Sequence, residues 1–283
     1  QFFSFIKQNA ILSLVKHIVK YRFPAVRNYH GKSVYLGIGI GPFINNLEAI
    51  LNVKFLMNRA SKVWFRDSPS IKKSLYWKNS SNFELGADLC YTNKFIAEYI
   101  TPNKLDSKNN KVALIHRNWP YSSRGNAYST EIINLVRKLK LDNVKVEIIC
   151  LYKSDMSILP NEVELQELKI YEWDPMMNIA NFLKNLSSYK AIISSRYHGI
   201  VLGSLLEVPC VSINIEPKLE IVSNHLNIPL WKNPEDDIYK IVNMVVNDKV
   251  PINWSEKIVE QKQRAESMKN DFINFIKNLD LQN

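Results

Sequence analysis

Arg196 and His198 stand two residues apart in Ile192-Ile193-Ser194-Ser195-Arg196-Tyr197-His198-Gly199, where an apolar run hands over to a helix-like one. Such a strand-to-helix junction attracts anions, because backbone N–H groups and the positive end of the helix dipole point outward and the arginine adds a fixed cation. His198 sets a titratable proton carrier beside that anion. Val208-Pro209 and then Ile213-Asn214-Ile215-Glu216-Pro217-Lys218 follow. Arg117 comes just after the apolar run Val112 to Ile115. In a doubly wound sheet ligands gather outside the carboxyl ends of the strands. A guanidinium there can hold a carboxylate or phosphate through two charge-assisted bonds, each about 1.5–3 kcal/mol. Taken alone, Arg117 fits a ligand role and a structural ion pair equally well. Arg124, in the loop Tyr121-Ser122-Ser123-Arg124-Gly125, is a further cation, and His116 reads as an orienting or buried histidine.

Other polar constellations are weaker. The Gly37, Gly39, Gly41-Pro42 series lacks the full spacing of a dinucleotide loop and reads as a tight turn lining a cleft. Arg66-Asp67 reads first as a local ion pair holding its loop, with binding of a hydroxyl-bearing acceptor as the alternative. Asp88 reads as a turn or capping carboxylate. The His, Cys and carboxylate residues show no metal-ligand spacing, so no metal is expected, and no nucleophile-elbow sequence is present.

The elements that must position these residues alternate. Apolar residues at helical spacing over residues 4–20 predict a helix closed by Pro24. Strands are predicted over Ser33 to Ile40, Val63 to Phe65 and Phe83 to Leu89, and helices over Leu47 to Ala60 and from Ile71 to Leu75. After a polar linker at Thr101 to Asn110, strands are predicted over Val112 to Ile115, Val144 to Leu151, Ala191 to Ser194 and Cys210 to Ile215. Helices are predicted over Ser129 to Lys140 (capped by Ser129 or Thr130), Met177 to Leu186, His198 to Leu206 and Trp254 to Leu279. Strand and helix in alternation predict an α/β fold with parallel sheets. The expected division is an N-terminal α/β domain over residues 1–103, a C-terminal α/β domain over 111–235, and terminal helices over 236–283.

The 283 residues, with 46% hydrophobic and 23% charged, allow two cores of ordinary size. A formal charge of +10 favours anionic partners. No zinc-finger spacing, aromatic RNA-binding string or strongly basic helix appears, so no nucleic-acid partner is expected. Cys90, Cys150 and Cys210 are widely spaced in apolar surroundings and read as reduced core thiols, which fits a cytoplasmic protein. Phe2 to Phe23 reads as a core-packed helix with a basic edge, the alternative being a helix lying on the inner face of a membrane as a peripheral contact.

The Ser195-Arg196-Tyr197-His198 stretch, the later Val208-Pro209 and Lys218 resemble the signature of polysaccharide pyruvyl transferases, in which an S-R-aromatic-H element precedes G-V-P and Y-x-x-K elements. Further matches are Gly37 to Pro42, Arg66-Asp67 with Ser70, Asp88, and Arg117, and the similarity spans about residues 34–230. Three features depart from the pattern. Glu207 stands where the glycine of G-V-P falls, Ile215 replaces the tyrosine, and nothing in residues 1–30 corresponds to the family's glycine-rich opening. The first domain is therefore expected to be abbreviated at its N-terminus, or the chain to be a fragment. The resemblance implies two Rossmann-like domains facing a cleft, as in GT-B glycosyltransferases. It implies transfer of the pyruvyl group of phosphoenolpyruvate onto two hydroxyls of a sugar, forming a cyclic ketal in a cell-surface polysaccharide (an exopolysaccharide) or its lipid-linked precursor. Arg117, Arg196 and Lys218 would hold phosphoenolpyruvate on the C-terminal domain, and His198 would be the catalytic acid or base. Arg66, Asp67, Arg124 and Gly39 would face the acceptor, with the N-terminal domain as acceptor side. Phosphoenolpyruvate is the donor substrate, and no cofactor is implied. The alternatives are a GT-B glycosyltransferase using a nucleotide sugar and an inactive glycan-binding homologue.

Overall fold

The computed structural model describes residues 33–43, 46–77, 81–92, 94–100, 110–117, 124–152, 168–174, 176, 178–247 and 254–280. The helix expected over residues 4–20 and most of the linker expected over 101–110 lie outside them. The chain forms two compact units, residues 1–89 with 264–283 and residues 90–263. Both are α/β with parallel sheets, as the alternation of elements requires.

In the first unit, β1 (Ser33–Ile38), β2 (Ala60–Phe65) and β3 (Phe83–Leu85) form a three-stranded sheet in the order β1-β2-β3. Helix α1 (Leu47–Arg59) crosses between the first two strands and α2 (Ser68–Trp77) between the second two. Asn46 starts α1 by accepting the Ala49 N–H on its Oδ1 at 2.9 Å, which satisfies one donor that the first turn would otherwise leave open. Helix α2 begins at Ser68, with Pro69 in its first turn, where proline's fixed φ is helical and its missing N–H costs nothing. The strand expected to run to Leu89 stops at Leu85, and Leu89–Thr92 is a 3₁₀ turn.

The second unit holds a six-stranded parallel sheet built from β4 (Lys111–Ile115), β5 (Lys145–Cys150), β6 (Lys169–Glu172), β7 (Ala191–Ser194), β8 (Cys210–Ile213) and β9 (Leu230–Trp231). Its helices are α3 (Arg124–Leu141), α4 (Ile179–Ser187), α5 (Tyr197–Leu205), α6 (Pro217–Leu226) and α7 (Ile238–Val246). Strands β4, β5, β7 and β8 are almost wholly buried, as apolar runs in a sheet covered on both faces must be. The order is β6-β5-β4-β7-β8-β9, the doubly wound arrangement, in which strand order reverses between β4 and β7. Ile115 pairs with Ser194, so these two strands end level and Arg117 and Arg196 leave the sheet at its switch point.

The last helix, α8 (Trp254–Asp280), is continuous, and its part from Arg264 onward belongs to the first unit. Trp64 of β2 packs edge-on against Phe272 and Phe275, each 6.3 Å away between ring centres. Gly86 leaves room for Met268, since a β-carbon there would lie 2.4 Å from its sulfur. The terminal helix thus completes the hydrophobic cover of a sheet built far earlier in the chain. Among the described residues no helix is long and apolar enough to cross a membrane.

Helix α3 starts five residues before the expected Ser129. Ser129 is therefore not its cap: its hydroxyl bonds back to the Gly125 carbonyl at 3.1 Å, the i−4 pattern available to serine within a helix. Strands β6 and β9 and helix α6 were not expected, whereas α7 falls within the terminal helices expected over 236–283. β6 is exposed along most of its length and β9 has two residues, so neither presents a readable apolar period. Cys90, Cys150 and Cys210 form no disulfide, and the last two are buried.

Helix α5 ends in a Schellman motif. Val208 N–H donates to the Gly203 carbonyl at 2.9 Å, Glu207 N–H to the Ser204 carbonyl at 3.0 Å, and Glu207 adopts φ 56°. The left-handed conformation disfavours any residue with a β-carbon, and Glu207 is exposed. Glu207→Gly is expected to raise unfolding free energy by about 1 kcal/mol, measured by urea denaturation. Unchanged or lowered stability would count against this assignment.

Candidate active site

The junction after β7 is built by short hydrogen bonds. Ser194 Oγ accepts the Arg196 N–H at 3.0 Å and donates to the Arg196 carbonyl at 2.8 Å, while Ser195 N–H donates to the Ile115 carbonyl at 2.9 Å. Arg196 is the N-cap residue of α5, in extended conformation at φ −109° and ψ 129°. Gly199 and Gly203 let that helix lie directly on the sheet. A β-carbon on Gly199 would come 2.2 Å from Ser194 Oγ, and one on Gly203 2.5 Å from Cys210 Sγ. Ile200, Val201 and Leu205 are buried on the same helix. Packing therefore fixes the start of α5, where the dipole's positive end lies, and His198 is exposed in its first turn.

A cavity of about 320 Å³ opens outside the carboxyl ends of β5, β6 and β7. Arg196, His198 and Lys218 supply its polar groups. Tyr152, Trp173 and Tyr197 supply aromatic surface, and Tyr197 stands edge-on to the His198 ring at 5.4 Å. The apolar remainder includes Leu151, Ile179 and Phe182. Two cations and an imidazole thus share one concave surface.

Arg117 is not among the residues lining this cavity. Its Nη2 donates to Glu216 Oε1 at 2.5 Å, and the same oxygen lies 3.1 Å from Lys218 Nζ. The Glu216 side chain is 2% exposed. A buried carboxylate with two cations on one oxygen is stable because their charges compensate its lost hydration. One carboxylate between two cations leaves the trio net positive. The Arg117 N–H also donates to Ser195 Oγ at 2.7 Å, fastening the end of β4 to the end of β7. Glu216 was not expected as a site residue. The available signal was an acid at a helix start, directly before proline and two residues before a cavity lysine.

His116 is buried, as expected of an orienting histidine. Ser129 Oγ gives its proton to the Gly125 carbonyl, so His116 Nε2, 3.1 Å away, carries the proton of the pair, and Nδ1 faces Ser195 Oγ at 3.4 Å. Burial pushes the imidazole down from 6.5 to about 4. Between those values the unfolded chain binds the proton and the folded chain does not. Stability is therefore full above about pH 6.5 and falls on acidification, by about 3 kcal/mol from this group when pH reaches about 4. Urea titrations at pH 7 and pH 5 are expected to show this slope in the parent chain and a flatter one in His116→Gln.

The other predicted residues, Arg124 apart, gather in the first unit. Arg66 Nη1 donates to Asp88 Oδ2 at 3.3 Å, and its Nε lies 3.7 Å from Asp67 Oδ2. The guanidinium lies against Gly39, where a β-carbon would be 2.6 Å from Arg66 Nε. Asp67 Oδ1 accepts the Ser70 N–H at 2.8 Å at the start of α2, and Ser70 Oγ accepts the Ile40 N–H at 2.8 Å. Arg66, Asp67, Ser70, Asp88 and Gly39 are therefore one interlocked group at the strand ends. Asp88, expected as a turn or capping carboxylate, is an ion-pair partner of Arg66. The side chain of Arg124 lies outside the described residues.

Two Rossmann-like units, with charged clusters at the carboxyl ends of their parallel strands, place the chain in the GT-B class. Solved structures share this architecture. The chain resembles TarM with TM-score 0.56 and 16% identity, covering 87% of this chain and 51% of that one. It resembles HepE from Anabaena, solved with UDP and glucose, with TM-score 0.56 and 13% identity over 87% of this chain and 71% of that one. A glycosyltransferase from Rickettsia africae matches with TM-score 0.53 and 15% identity over 95% and 79%. The chain thus spans about half the length of TarM. No curated protein matches it in sequence. The family described as Polysaccharide pyruvyl transferase matches residues 9–217, and the chain belongs to that family.

Proposed function

We propose that the chain is a ketal pyruvyl transferase that moves the pyruvyl group of phosphoenolpyruvate onto two hydroxyls of a sugar in a polysaccharide or its lipid-linked precursor, on the cytoplasmic side where phosphoenolpyruvate is available. The observation that carries this reading is the grouping of Arg196, His198 and Lys218 on one cavity in a member of this family. Phosphoenolpyruvate carries a carboxylate and a phosphate, and the two cations suit those groups, while Arg117 shares Glu216 with Lys218. Protonation of the enol carbon makes C2 electron-poor. A sugar hydroxyl then adds to C2, phosphate leaves, and a second hydroxyl closes the ketal. Of the two hydroxyl protons, one replaces the proton delivered to the methyl carbon and the other leaves with phosphate. His198 is the group placed to carry them, while the cations offset charge developing on the phosphate.

A nucleotide-sugar glycosyltransferase is the competing reading, because HepE has the same fold and was solved with UDP and glucose. Calorimetry separates the two. Phosphoenolpyruvate is expected to bind and UDP-sugars are not. Arg196→Lys, which keeps the charge but loses the planar fork, is expected to weaken phosphoenolpyruvate binding by at least about tenfold, equivalent to about 1.4 kcal/mol. Binding of UDP-sugars without phosphoenolpyruvate would select the glycosyltransferase reading. Glycan binding without phosphate release would select an inactive homologue.

A further inference from the structure

We infer that Tyr152 and Trp173 form the acceptor subsite, an aromatic wall in the second unit against which a pyranose ring lies with its hydroxyls turned toward His198. The inference rests on the pyruvyl-transfer reading, and it departs from the expectation that the acceptor is held by the N-terminal domain.

The cavity has two chemistries. Arg196, His198 and Lys218 suit a small anion, whereas Tyr152, Trp173, Ile179 and Phe182 present carbon. Phosphoenolpyruvate is compact and highly charged, and it has no apolar face to set against that wall. The cavity's size of about 320 Å³ falls within the roughly 300–1,000 Å³ range of sites that enclose larger organic ligands. A pyranose matches both chemistries, with C–H groups on its ring faces and hydroxyls around its edge.

The Trp173 side of the wall is also fixed in place. The Trp173 N–H donates to the Cys150 carbonyl at 2.8 Å, tying the end of β6 to the end of β5. The Trp173 ring stands edge-on to Phe182 at 5.0 Å, and Phe182 is buried. Tyr152 is 65% exposed although it lines the cavity, and Ile179 is 45% exposed beside it. Rigid aromatic rings offer contact area at low entropic cost, and apolar surface grouped at a cavity mouth marks a binding face.

The test uses the full chain labelled with 5-fluorotryptophan, with the Trp173 fluorine signal assigned from Trp173→Phe. Phosphoenolpyruvate is added first, followed by methyl glycosides of galactose, glucose, mannose and N-acetylmannosamine. At least one glycoside is expected to shift the Trp173 signal. Tyr152→Ala is expected to weaken that glycoside by about tenfold while phosphoenolpyruvate affinity by calorimetry stays unchanged. The inference is overturned if every glycoside leaves Trp173 unmoved while phosphoenolpyruvate binds, or if uridine monophosphate shifts it and the glycosides do not. It is also overturned if Tyr152→Ala weakens phosphoenolpyruvate as much as it weakens the sugar. Failure of phosphoenolpyruvate to bind in the same titration would instead overturn the transfer reading.

Discussion

His198→Gln is expected to reduce phosphate release from phosphoenolpyruvate by about 10²- to 10⁴-fold, the usual worth of a positioned general acid or base, with little change in donor affinity. Glutamine keeps a polar side chain of similar reach but cannot carry a proton at neutral pH. His198 is exposed on the first turn of α5 while its neighbours Tyr197 and Gly199 are buried, so the substitution should leave folding intact. Steady-state kinetics with an accepted glycan, together with calorimetry for phosphoenolpyruvate, reads both quantities. Turnover at the parent rate in the glutamine variant would remove His198 from the mechanism. Loss of donor binding with no effect on kcat would make it a binding residue only.

Glu216→Ala is expected to cost about 3–5 kcal/mol of stability, the range for removing one member of a buried ion pair. Arg117, whose side chain is 17% exposed, would lose the oxygen at 2.5 Å and face Lys218 with no charge between them. Against a whole-protein stability of about 5–15 kcal/mol this is a large fraction, so urea denaturation should resolve it easily. Replacing both partners, as in Arg117→Met with Glu216→Leu, is expected to recover most of the loss, since apolar residues of similar volume pack without a desolvation cost. Phosphoenolpyruvate affinity is expected to fall in that double variant, which lacks the Arg117 guanidinium. Parent-like affinity would exclude Arg117 from donor binding, and parent-like stability in Glu216→Ala would show that the bridge contributes little.

Much of this arrangement was legible in local patterns. The largely apolar runs Val112 to Ile115, Val144 to Leu151 and Ala191 to Ser194 announced buried parallel strands, because a sheet covered on both faces favours apolar side chains there. Arg196 and His198 were expected together at one strand-to-helix junction, because such a turn positions residues two apart by itself, and they line one cavity. Lys218 came from the resemblance to the family signature rather than from local pattern. Strand β6 and helix α6 escaped notice since neither carries a clear apolar period of its own.

The sequence by itself determined the strand and helix alternation and the cation-imidazole pair at the head of α5, since both depend on neighbours a few residues away. Only the tertiary structure decided that Arg117 is held by Glu216, 99 residues later, that Asp88 pairs with Arg66, and that the last helix covers Trp64 of the first sheet. Such contacts are selected by charge compensation and by packing once the sheets have formed. Their energies depend on which strands end side by side, a property of the winding order that no local spacing carries.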